Sequence, residues 1–170
     1  MKCIDLQQEL SHYNLRGKWN DYIGVQKEVI SVLKQERFFE ENDIINHETG
    51  MIIRLSPRGI KETIGSGKRF QNLPKKVKEQ KIATLRILPI LLREGKLLED
   101  NVQNYYSAQG DQFAYFVSTI MIDDEIHNVR MAVKKKVNSN HFYIHHIDTE
   151  KSSELLSPSK EMDTYEIQNS

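Results

Sequence analysis

The hydrophobic positions of this chain alternate between a helical period and a strand period. In NDYIGVQKEVISVLKQERFF, apolar residues fall at Tyr22, Val25, Val29, Val32 and Leu33. That spacing, with Asn20 as N-cap, predicts an amphipathic helix packed on the body of the protein or on a partner. In DIINHETGMIIRLS, two short β-branched runs flank a turn containing Gly50, which predicts a β-hairpin. Ser56 before Pro57 reads as an N-cap followed by proline at the first helical position, so a helix starts there and ends at Gly65 or Gly67. After the loop GSGKRFQNLP, a longer helix begins at Pro74, breaks or kinks around Pro89 and ends at Gly95. The period then becomes two. DQFAYFVSTIMI, EIHNVRMAVKK and HFYIHHIDT predict three strands, joined by a tight turn at Asp123 and Asp124 and a looser one over 138–140.

Strands segregated from helices indicate an α+β fold. The expected architecture is a hairpin, two helices and a three-stranded meander, with the helices on one face of a small antiparallel sheet. The expected divisions are an N-terminal helical extension (1–42), the α+β body (43–149) and a flexible acidic tail (150–170).

The meander divides into two faces if Asp123 and Asp124 are the turn residues. Phe116, Ile120, Ile122, Val129, Met131 and Val133 then form a core face, joined by Phe142 and Ile144. Tyr115, Val117, Thr119 and Met121 lie on the other face, opposite Asn128, Arg130 and Ala132. His141, Tyr143 and His145 are expected beside them, with His146 pointing the other way. Arg130, Thr119, Tyr143 and His145 are thus placed to converge on one anion. Arginine supplies a fork of donors for phosphate, and histidine moves protons near neutrality. The same residues also fit an ordinary solvated sheet face.

Charge sharpens this picture. The chain carries 24 basic and 24 acidic residues, but 12 of the basic and 3 of the acidic ones fall between Arg54 and Lys96. Such asymmetry fits either a basic patch facing an anion or a pair of solvated lysine-rich helices. Candidate nucleic-acid contacts in it are Arg58, Lys68, Arg69, Lys75, Lys76 and Lys78.

Other chemistry is not indicated. There is no phosphate-binding glycine loop or dinucleotide fingerprint, so no cofactor is expected. One cysteine, Cys3, allows neither an intramolecular disulfide nor a cysteine-based zinc site, and no metal is expected. No apolar run resembles a signal peptide or a membrane span, so a cytoplasmic protein without membrane contact is expected.

The segment N-x-x-T-G-x-x-I-x-L-S-P-R-G-I-K-E-T, from Asn46 to Thr63, together with IDDEIHNVRMAV and HFYIHHID, resembles a known group. These are the phage- and mobile-element-associated domains of the barnase–EndoU–colicin–RelE-like nuclease fold, found in large polyvalent proteins and as toxin tips. The resemblance covers roughly Asp43 to Asp148. It implies a metal-independent RNase, a toxin or phage-associated effector, acting through 2′-OH attack. Carried onto this sequence, His145 is the acid or base, Arg130 and Lys61 bind phosphate, and Thr119 is the hydroxyl residue; Thr119 or Tyr143 is the candidate for orienting the phosphate. The alternative is a non-catalytic binding module of the same fold. RNA is the expected partner, with a protein partner or inhibitor reached through the N-terminal helix or the acidic tail.

Overall fold

A seven-stranded mixed sheet organises the protein in the computed structural model, which describes residues 1–40, 43–65, 69–102 and 110–152. The chain runs β1 (Lys2–Ile4), α1 (Leu6–Leu10), α2 (Tyr22–Gln35), β2 (Ile44–Ile45), β3 (Ile52–Arg54), α3 (Pro57–Gly65) and α4 (Lys75–Ala83). It continues with α5 (Leu88–Glu94), β4 (Lys96–Val102), β5 (Gln112–Ile122), β6 (Glu125–Lys135) and β7 (Phe142–Lys151). The strand order is β1-β5-β6-β7-β3-β2, with β4 also paired to β5. The fold is α+β.

The sheet is not all antiparallel, as the pattern led one to expect. β1 runs parallel to β5 and β3 runs parallel to β7. Nor do the helices gather clearly on one face. α5 lies against the core face of β5, where the Ser118 hydroxyl donates to the Leu91 carbonyl. α3 lies along β7, where Gly59 meets the backbone of Ile144.

The β5–β6 hairpin follows its predicted register, with Ile122 opposite Glu125, Ile120 opposite His127 and Phe116 opposite Met131. Asp123 and Asp124 both take positive φ, 46° and 67°, as a tight two-residue hairpin turn needs. An aspartate at the first position is used further. The Asp123 carboxylate accepts from the Leu6 amide, and the Asp123 amide donates to the Ile4 carbonyl, tying the turn to β1 and α1. Phe116, Ile120, Ile122, Val129, Met131, Val133 and Ile144 are buried as expected. Burying each such side chain contributes roughly 1.5–3 kcal/mol. Phe142 departs from expectation: it is half-buried, with the Lys135 ammonium 5.6 Å above its ring.

The helix expected from Pro74 breaks earlier than Pro89. The Thr84 hydroxyl donates to the Lys81 carbonyl and ends α4, and a 3₁₀ turn over Leu85–Ile87 leads into α5. Pro89 then sits in the first turn of α5, where its missing N–H costs nothing.

The first forty residues join the same core. β1 extends the sheet, α1 buries Leu6 and Leu10, and α2 buries Val25, Val29, Ile30 and Leu33. The cap of α2 is Asp21 rather than Asn20, its carboxylate accepting from the Gly24 amide. The acidic tail lies outside the described residues from 153 onward, as does Lys68.

Candidate functional site

The segment from Asn46 to Glu62 builds one corner of the molecule in two steps. Asn46 is fully buried and spends its whole side chain on structure. Its amide donates to the Leu92 and Gly95 carbonyls at the end of α5, and its oxygen accepts from the Thr49 amide and hydroxyl. Gly50 takes φ of 73° to close the turn. The N-x-x-T-G part is therefore a clamp between the β2–β3 hairpin and the C-terminus of α5.

The S-P-R-G-x-x-E part positions chemistry. The Ser56 hydroxyl accepts from the Gly59 amide and starts α3. A Cβ on Gly59 would lie 2.2 Å from the Ile144 carbonyl oxygen, so only glycine lets the helix approach β7 this closely. One turn later, Glu62 reaches across and its carboxylate engages Nδ1 of His145. Arg58 lies 3.6 Å from the other Glu62 oxygen.

These residues line a pocket of about 370 Å³. Ser56, Arg58, Gly59 and Glu62 form one wall; Lys134, Lys136, Tyr143, Ile144 and His145 form the other. Three cations against one carboxylate favour an anion there. Lys134 is anchored behind the site, 3.5 Å from buried Asp111 and 5.7 Å from the Phe113 ring centroid. The same Phe113 ring meets His145 edge-on at 5.3 Å.

Burial lowers the pKa of His145, opposed by the Glu62 charge and reinforced by Lys134, His146 and Arg58. The imidazole is therefore neutral at pH 7. Its Nδ1 carries the proton, because a carboxylate only accepts, and Nε2 keeps its lone pair.

The other expected residues distribute differently. Tyr143 and Arg58 share the pocket with His145. Arg130 does not line it, being four residues from Lys134 and so about 13 Å away along β6. β7 also carries a bulge: the register shifts so that Ala132 faces His146 while Val133 faces Ile144. Ile144 and Ile147 are both buried, so His145 and His146 both lie between core positions and neither enters the core. The strict alternation that set His146 apart and joined His145 to Arg130 is lost. Asp148, opposite Arg130, instead receives His146 at 3.0 Å and the buried Lys81 ammonium at 3.2 Å. These two partners overcome burial and hold the Asp148 carboxyl well below the usual range.

Thr119 is exposed and donates its hydroxyl to Asn128, on the same outer face as Arg130. Lys61 is exposed on α3 but does not line the pocket. Arg69, Lys75 and Lys76 are exposed. Lys78, expected at a nucleic-acid surface, is 3% exposed and donates to the Trp19 carbonyl at 2.9 Å.

Much of the basic segment is thus neutralised from elsewhere in the chain. Arg54 pairs with Asp43, Lys81 with Asp148, Arg86 with Glu9 and Glu36, and Lys96 with Glu48. Sequence reasoning missed Glu62, Lys134, Lys136 and Ser56. The signal for Glu62 was its position one turn after Arg58 and Gly59 on a helix starting at Ser56.

Among the described residues, no group of three His, Cys, Asp or Glu is placed to hold a metal ion, and no helix is long and apolar enough to cross a membrane. A family model described as large polyvalent protein-associated domain 3 matches residues 24–143. The match takes in α2 through the start of β7 and stops two residues short of His145. No curated protein and no solved structure matches the chain.

Proposed function

The chain belongs to the large polyvalent protein-associated domain 3 family, a phage- and mobile-element-associated module, and we propose that its pocket cleaves RNA by internal attack of a 2′-hydroxyl. The observation that carries this reading is the grouping of a neutral, carboxylate-oriented His145 with Arg58, Lys134 and Lys136 in one pocket.

In this reaction Nε2 of His145 takes the proton from the 2′-OH. The 2′-oxygen bonds to the adjacent phosphorus and the bond from phosphorus to the 5′-oxygen breaks. The imidazolium, steadied by Glu62, returns its proton to that leaving oxygen. Arg58, Lys134 and Lys136 balance the charge that builds on the phosphoryl oxygens. The charge stabilisation comes from side-chain cations, so the reaction as proposed runs in EDTA and leaves 2′,3′-cyclic phosphate ends.

The test is incubation of the purified chain with total tRNA in EDTA, followed by end-group analysis. Cyclic phosphate ends that disappear with His145→Ala support the reading. Intact RNA, or equal cutting by His145→Ala, overturns it in favour of a binding module.

A further inference from the structure

Beside the cationic pocket, β7 carries an aromatic ledge, and we propose that this ledge receives one unpaired nucleobase, so that the site takes single-stranded RNA and rejects duplex. The proposal rests on the phosphodiester reading above and adds the class of RNA to it.

Tyr143 lines the pocket and is 37% exposed, the large aromatic side chain at its rim. The ring has one aromatic neighbour among the described residues. His141 meets it edge-on, 6.2 Å between centroids and 71° between planes. On the neighbouring strand β3, Arg54 is its register partner, with its guanidinium on Asp43. A tyrosine ring has only two side-chain torsions to lose when a base stacks on it.

The spacing also fits. Residues 143 and 145 lie two apart in the chain and both line the pocket, so their Cα atoms are no more than about 7 Å apart even across the bulge. A phosphodiester between Arg58, Lys134 and His145 therefore leaves the base of an adjoining nucleotide within reach of Tyr143. Base–aromatic stacking tolerates any sequence because every base has a π-face. In a duplex those faces are already covered by neighbouring bases, whereas single strands can splay them out. A pocket of about 370 Å³, walled by α3 on one side and β6 and β7 on the other, matches a group the size of one nucleotide rather than a helix.

Tests on DNA analogues separate this idea from the chemistry. A 2′-deoxy octamer lacks the attacking hydroxyl and stays intact. The comparison uses fluorescence anisotropy with that single strand, the same strand annealed to its complement, and an abasic octamer with the same backbone. The parent protein is expected to favour the base-bearing single strand over both others. Tyr143→Leu should weaken that preferred complex by roughly 5- to 150-fold and leave the abasic strand unchanged, while Tyr143→Phe keeps the preference. Equal affinity for duplex, or no change in Tyr143→Leu, overturns the ledge. So does a Tyr143→Phe variant as weak as Tyr143→Leu, since the hydroxyl and not the ring face would then be responsible. Binding of the abasic strand as tightly as the base-bearing one sinks the ledge while the phosphate pocket stands. Binding of neither strand sinks both.

Discussion

The carboxylate of Glu62, in the second turn of α3, accepts the Nδ1 proton of His145 at the start of β7. This contact joins two segments far apart in sequence and leaves Nε2 as the free ring nitrogen for the proposed chemistry. It also sets a pH dependence. Burial holds His145 below the ordinary value of 6.5, and Glu62 pulls it partly back up. The base form of His145 therefore persists below pH 6.5, so the acid limb of the proposed RNA cleavage should have its midpoint under 6.5. Glu62→Gln removes the stabilising charge and should move that midpoint lower still. NMR titration of the His145 ring protons checks the sign; a midpoint that rises in the variant would show that Glu62 does not govern the ring.

Loss of the base should be felt in rate and not in folding. Removing one general acid or base typically costs about 100- to 10,000-fold. His145 is half-buried at the pocket edge, so His145→Ala should cut cleavage by that factor while the melting temperature holds. His146→Ala removes the 3.0 Å contact to Asp148 and should act on stability, leaving the cleavage rate near the parent's. A rate loss in His146→Ala equal to that of His145→Ala would show that the bulge does not separate their roles.

The meander was legible because its long strands alternate cleanly: the side-chain period of two fixed the face of Phe116, Ile120, Val129 and Met131, and burial enforces it. The ends of the sheet were not. β1 is three residues of KCI with no period to read, and KLLED after Gly95 reads as either helix or strand until β5 supplies its ladder. The site was legible only in part, for a local reason. His145 and Tyr143 were found from residue type and strand position. The bulge after Ile144 is one inserted residue that no composition signals, and it breaks the alternation that grouped His145 with Arg130 and set His146 apart. Glu62 belongs to another element, and the close approach that brings it to His145 depends on the missing Cβ of Gly59.

That approach makes a prediction of its own. A Cβ at Gly59 would overlap the Ile144 carbonyl oxygen, 2.2 Å away, and neither backbone yields without moving α3 off β7. Overpacking of this kind typically costs about 1–3 kcal/mol. Gly59→Ala should lose that much stability in urea titration and also separate Glu62 from His145. A Gly59→Ala protein as stable and active as the parent would show that the helix–strand contact is looser than a 2.2 Å approach requires.

The lysines of α4 divide by burial. Lys75 and Lys76 are exposed, whereas the Lys78 ammonium is tied to the Trp19 carbonyl and lies 5.7 Å from the Phe70 ring centroid. Charge reversal at Lys75 and Lys76 should leave the melting temperature within the range of ordinary surface changes, about 0.5 kcal/mol in stability. Lys78→Glu buries a carboxylate against a carbonyl oxygen and should unfold the protein or cost several kcal/mol. Loss of RNA affinity in the Lys75/Lys76 pair would follow salt concentration; loss in Lys78→Glu would follow unfolding, and circular dichroism tells the two apart.

The most buried histidine is His127, on the core side of β6, fully shielded from solvent and with neither ring nitrogen hydrogen-bonded to any of the described residues. Three charges face it: Glu125 on its own strand at 3.6 Å, Lys151 on β7 opposite, and Lys76 from α4. Burial outweighs Glu125 and lowers its pKa below 6.5 in the folded protein. The sign follows from proton uptake. As pH falls below 6.5 the unfolded chain binds a proton at this site before the folded one does, so stability declines with acidification. His145, lowered in the same direction, adds to the decline in the same window. Asp148 contributes later, because its stabilisation is complete above its ordinary 3.8 and fades as pH falls further. Urea midpoints measured at pH 7.0 and 5.5 should therefore differ for the parent. His127→Leu removes two unpaired buried nitrogens, which typically cost about 1–3 kcal/mol when unsatisfied, so it should raise the midpoint at pH 7.0. It should also flatten the loss between the two pH values, and His145→Ala combined with it should flatten the loss further. A parent protein equally stable at both pH values would mean that His127 finds a partner on protonation, with Glu125 the carboxylate nearest to supply it.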